Sequence, residues 1–142
     1  MTGPADLINV HSGDVFYWRE QGRFGALFQR LTVTGVDTDS VHVVDEQGDP
    51  QVFDRRTAQV RWPDGLGRSF LEYPSAQVAA EYELFLLDEQ LTHAARELGR
   101  LPASVTADRP TRIREVKQLE MAITAWTRAH AAGSYARKEQ TA

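Results

Sequence analysis

Between Gly13 and Trp62 the apolar residues recur with a period near two, the signature of short strands. Val15-Phe16-Tyr17-Trp18 is β-branched and aromatic on both faces, as a strand covered on both sides requires. Glu20-Gln21-Gly22-Arg23 reads as a turn in which Gly22 supplies any positive φ. Residues 26–36 form the next run, with Leu27, Leu31 and Val33 on one face and Arg30, Thr32 and Thr34 on the other. Phe28 breaks the alternation, and Gly25 and Gly35 mark a bulge or bend. Asp37-Thr38-Asp39-Ser40 and residues 45–50 are polar turns. Between and after them, Val41/Val43, Val52/Phe53 and Ala58/Val60/Trp62 give three more strands. Short strands at this spacing predict a bent antiparallel sheet closing into a small barrel.

After residue 74 the period changes. Residues 63–74 read as a linker pinned by Phe70, Leu71 and Tyr73, and a helix starts at Ser75 and runs to about Leu98. Leu84, Leu87, Leu91, Ala94 and Leu98 repeat at spacings of three and four, forming one apolar seam, and Gly99 and Pro102 stop it. Asp108 is the expected N-cap of a second helix, with Pro110 in its first turn. Val116, Leu119, Ile123, Trp126 and His130 form its seam and Gly133 its stop. The expected architecture is therefore α+β. Residues 1–62 form an N-terminal segment and barrel, 63–74 a linker, 75–133 a helical hairpin and 134–142 a flexible tail. The seams of Leu84, Leu87, Leu91 and Leu98, and of Val116, Leu119, Ile123 and Trp126, can pack on each other, on the barrel or on a second chain.

The barrel half carries a resemblance. Gly13-Asp14-Val15-Phe16, then Leu31-Thr32-Val33-Thr34-Gly35-Val36, Val41-His42-Val43-Val44 and Phe53-Asp54 resemble an SH3-like barrel. The order is similar to small uncharacterised SH3-like barrel proteins of actinobacterial phages and their hosts. The likeness covers residues 13–62 and implies a barrel followed by helix. SH3-like barrels bind peptides, RNA, DNA or other subunits, so the resemblance names no ligand.

Composition narrows the chemistry. The 142 residues include no cysteine, which removes disulfides, thiolate metal sites and cysteine nucleophiles and fits a reducing cytoplasm. No apolar run suffices to cross a bilayer, and the first residues lack a signal-peptide pattern. Net charge is −4, without the broad positive field of a non-specific nucleic-acid binder. His11, His42, His93 and His130 show no metal-ligand spacing, and no nucleophile elbow or phosphate loop occurs. Asp45-Glu46 and Asp88-Glu89 read as solvated acidic pairs. No catalytic residue, cofactor or metal is expected.

Two basic groups remain. On the first hairpin Tyr17, Trp18, Arg19, Arg23, Phe24 and Arg30, joined by Arg55 and Arg56, combine guanidinium groups with aromatic rings. That combination serves protein hot spots as well as phosphate and base contacts, and it also suits a core strand beside a solvated turn. Arg109, Arg112, Arg114 and Lys117 oppose the dipole at the start of the second helix. They suit either an external acidic partner or a solvated face paired with Glu115 and Glu120. The leading expectation is a non-enzymatic protein-binding protein of a phage or mobile element. A nucleic-acid-binding accessory factor and a self-assembling virion component are the alternatives.

Overall fold

The structure, a computed structural model, describes residues 4–22, 25–102 and 108–130. Six strands follow in order: β1 (Val15–Gly22), β2 (Gly25–Val36), β3 (Ser40–Val44), β4 (Pro50–Asp54), β5 (Gln59–Trp62) and β6 (Gly65–Glu72). Each pairs antiparallel with the next, and β6 returns to β1 through Tyr17↔Glu72 and Trp18↔Leu71, closing the barrel. Residues 63–74 are thus not a linker. Leu71 is fully buried, and its strand supplies the pairing without which β1 and β5 would be open edges.

Alternation places one set of side chains inside. Phe16, Trp18, Leu31, Val33, Val41, Val43, Phe53, Val60 and Leu71 form the core, with Trp18 edge-on to Phe53. Tyr17 lies on the opposite face of β1 yet is also buried, so β1 is covered on both sides as its composition predicts. In β2 the expected face is half right. Leu31 and Val33 are buried, but Leu27 is exposed and Phe28 is buried on the outer face, edge-on to Tyr17. β1 also runs four residues past Trp18, to the Gly22↔Gly25 pair, so Glu20, Gln21 and Gly22 of the expected turn are strand. Gly35 sits at the β2–β3 register shift, whereas Gly25 has φ +127° at the start of β2.

Residues ahead of β1 complete the core. Ala5, Leu7 and Val10 are buried, and the Ala5 N–H donates to the Leu71 carbonyl. The Tyr73 hydroxyl donates to the Asp6 carbonyl and accepts from the Asp6 N–H, both at 2.8 Å.

Two helices follow, α1 (Ala76–Arg100) and α2 (Arg109–Ala129). The Ser75 hydroxyl accepts from the Val78 N–H and caps α1. α2 has Asp108 at its N-cap, without a side-chain cap bond, and ends at His130, before Gly133. The last hydrogen bond is the His130 N–H to the Trp126 carbonyl, and the two rings stack at 4.4 Å. Gly133 and the tail 134–142 lie outside the described residues. The chain divides into two compact units, residues 1–82 and 83–142, so the first two turns of α1 belong with the barrel.

Candidate interaction surface

The hairpin cluster is largely engaged in the barrel unit's own structure. Trp18 is 3% exposed and its indole N–H donates to Ser69 at 2.8 Å. Tyr17 and Phe28 pack against Tyr82 of α1. Arg19 extends over the Phe28 ring at 4.8 Å, forks onto both Glu72 oxygens and reaches Glu81 at 2.5 Å. The hydrogen bond that Arg19 donates to buried Glu72 leads in raising the guanidinium pKa, against the opposing effect of burial. Burial, then the hydrogen bond to Glu46, raises the Tyr82 phenol pKa.

Arg55 is equally occupied, donating to the carbonyls of Leu7, Ile8 and Asp37. It ties the N-terminal segment to the β2–β3 turn. Arg30 is exposed on β2, and Arg56 is exposed in the β4–β5 turn beside a cleft of about 400 Å³ lined also by Asp6, Ile8 and Thr38. Arg23 and Phe24 lie outside the described residues. The guanidinium groups of Arg19 and Arg55 therefore serve folding, while Arg30 and Arg56 face solvent in different settings.

Other candidate groups resolve into turns. Asp54 accepts from the Thr57 N–H and hydroxyl, each at 3.0 Å, and from Arg61 at 2.6 Å. Burial raises its pKa, but these bonds outweigh it and hold the carboxyl below its ordinary value. Asp45 accepts from the Gln47 and Asp49 N–H groups and from Gln29. Among the described residues no group of three His, Asp or Glu could hold a metal ion, and no helix is long and apolar enough to cross a membrane.

Among the described residues, α2 carries an accessible surface whose charges are not committed to ion pairs. Pro110, Arg114, Lys117, Met121, Thr124 and Arg128 follow one another at spacings of four and three, so they share one helix face. This stripe runs about 27 Å at 1.5 Å per residue. It lies away from the seam of Val116, Leu119, Ile123 and Trp126, all half-buried. Two open grooves of about 570 and 590 Å³ run along it and share Lys117 and Met121. Met121 is 70% exposed. Arg112 pairs with Glu115 at 3.4 Å, as a solvated face would, but among the described residues no ion pair engages Arg114, Lys117 or Arg128. α2 carries five basic against two acidic residues in a chain of net charge −4. Its first turn contains no acid to complement the dipole.

Sequence reasoning found the basic start of this helix and missed the stripe. The 3–4 spacing that gives the seam also gives a second set on the opposite face, centred on Met121. Comparisons with family models, curated proteins and solved structures find no match to this chain.

Proposed function

We propose that this chain is a non-enzymatic interaction protein whose partner-binding surface is the Met121 stripe of α2. The observation that supports it is an exposed thioether at the centre of a helix face with Arg114, Lys117 and Arg128 around it. An apolar centre within a charged rim is the anatomy of protein interfaces, and methionine adapts to irregular partner surfaces. The stripe carries no aromatic ring on which a base could stack, which favours a protein over single-stranded nucleic acid. The SH3-like identity of the barrel, a cytoplasmic setting and a phage or mobile-element origin belong to the same proposal, and the residue pattern from Gly13 to Asp54 and the lack of cysteine support them.

The test is a photo-crosslinking amino acid placed at Met121 and, as control, at exposed Arg68 of the barrel, with the protein incubated in extract of its source cells. The expected result is discrete polypeptide adducts from position 121 that are absent from position 68. Adducts to nucleic acid alone, or equal labelling from both positions, overturn the reading.

A further inference from the structure

We infer that the partner of the α2 stripe is a second copy of this chain, whose α1 presents the complementary acidic face. The inference rests on the stripe being a protein-binding surface and names its occupant.

Within the helical unit, Glu83, Leu86, Glu89 or Gln90, and His93 recur at helical spacing on α1 and are exposed. Leu86 is 37% exposed, so this face is also an apolar point with a charged rim, of opposite sign to that around Met121. α1 carries five acidic against two basic residues, mirroring α2. Among the described residues, no ion pair engages Glu83, Asp88 or Glu89.

The two faces do not satisfy each other within one hairpin. The acids Glu83 and Glu89 occupy the early turns of this part of α1, while its last turns carry Arg96 and Arg100 against Glu97 alone, which pairs with Arg100 at 3.4 Å. The short connection brings that basic end next to the basic start of α2, where Arg109 donates to the Leu101 carbonyl. An antiparallel neighbour in the same chain therefore meets Arg109, Arg112 and Arg114 with like charge. A second copy aligned parallel sets Glu83 and Glu89 against Arg114 and Lys117. Residues 83–100 extend about 26 Å and the stripe about 27 Å at 1.5 Å per residue. Carboxylates from outside also supply the negative charge that the N-terminus of α2 lacks.

Sedimentation velocity of the purified full chain over a concentration series tests this. Wild type is expected to associate reversibly, more weakly as salt rises, because the rim charges are exposed. Arg114→Glu with Lys117→Glu, and separately Glu83→Lys with Glu89→Lys, are each expected to weaken association by about tenfold or more through like-charge contact. The chain carrying all four changes is expected to recover most of the wild-type association, a result that no loss of folding can mimic. Circular dichroism verifies that each variant keeps its helix content. A wild type that stays monomeric throughout, or a fourfold variant that fails to recover, overturns the inference. If the wild type is monomeric while position 121 still crosslinks to another polypeptide, self-association fails and the interaction surface stands. If no polypeptide adduct forms either, both fall.

Discussion

Arg19 and Glu72 form a two-toothed ion pair: Nε and Nη2 lie 2.9 and 2.8 Å from the two oxygens of a carboxylate that is 6% exposed. The pair joins β1 to the closing strand beside the Tyr17↔Glu72 register position, and Arg19 continues to Glu81 on α1. One side chain thus ties barrel closure to the first turns of the helix. Arg19→Met removes the bidentate cation from a buried carboxylate. It is expected to lower stability by about 2 kcal/mol, the solvent access of Arg19 reducing the full cost of breaking a buried pair. Urea denaturation measures it; a change within about 0.5 kcal/mol, the usual range of surface substitutions, would show that the pair is incidental.

Asp54 gives the barrel a dependence on acid. Its folded pKa is depressed, so its contribution is fully present above the unfolded value of about 3.9 and is lost as pH falls through the folded value. Asp54→Asn is expected to cost about 1–3 kcal/mol at neutral pH. It should also flatten the loss of stability below about pH 4. Thermal melts of both proteins from neutral to acid pH test the sign; parallel curves would contradict it.

Gly67 is held by packing rather than by an unusual φ. A Cβ there would lie 2.5 Å from Val60 Cγ1 and 2.6 Å from Trp62 Nε1. Gly67→Ala must displace the β5–β6 hairpin and is expected to cost about 1–3 kcal/mol. Gly48→Ala, with open space at its Cβ but φ +87°, tests backbone strain alone and should cost about 1 kcal/mol. Equal effects with a shifted Trp62 fluorescence only in the first would still separate the causes; no effect at Gly67 would refute the packing account.

Tyr82 is expected to split by atom. Tyr82→Phe removes only the bond to exposed Glu46 and should change stability by less than about 1 kcal/mol. Tyr82→Ala removes the ring that touches both Tyr17 and Phe28, at 5.2 and 5.3 Å, and should cost about 3 kcal/mol. Chemical denaturation of the pair decides whether the ring or the hydroxyl matters.

The legible parts of the fold were those with strong periodicity. Val41 and Val43 and the helix seams obey their spacing, and Gly35 marks a real bulge. The sixth strand was hidden because Gly65-Leu66-Gly67 and two flanking prolines mimic a linker, while its buried residues cluster at one end. The N-terminal plug alternates Ala5-Asp6-Leu7, but three residues form no recognisable strand, and their burial depends on Leu71 and Tyr73, about 65 residues away. At the candidate site, residue type alone could not separate an arginine committed to buried Glu72 from one free to bind outward. That distinction requires knowing which strand closes the barrel.

The central claim is that the hairpin arginine serves folding and the α2 stripe serves binding. Crosslinking yield from position 121, measured below the melting temperature in the Arg19→Met and the Arg114→Glu/Lys117→Glu backgrounds, tests it most directly. The account predicts that Arg19→Met lowers the melting temperature and leaves the yield unchanged, whereas the stripe variant abolishes the yield at an unchanged melting temperature. Loss of yield in Arg19→Met, with the stripe variant still crosslinking like wild type, would contradict it.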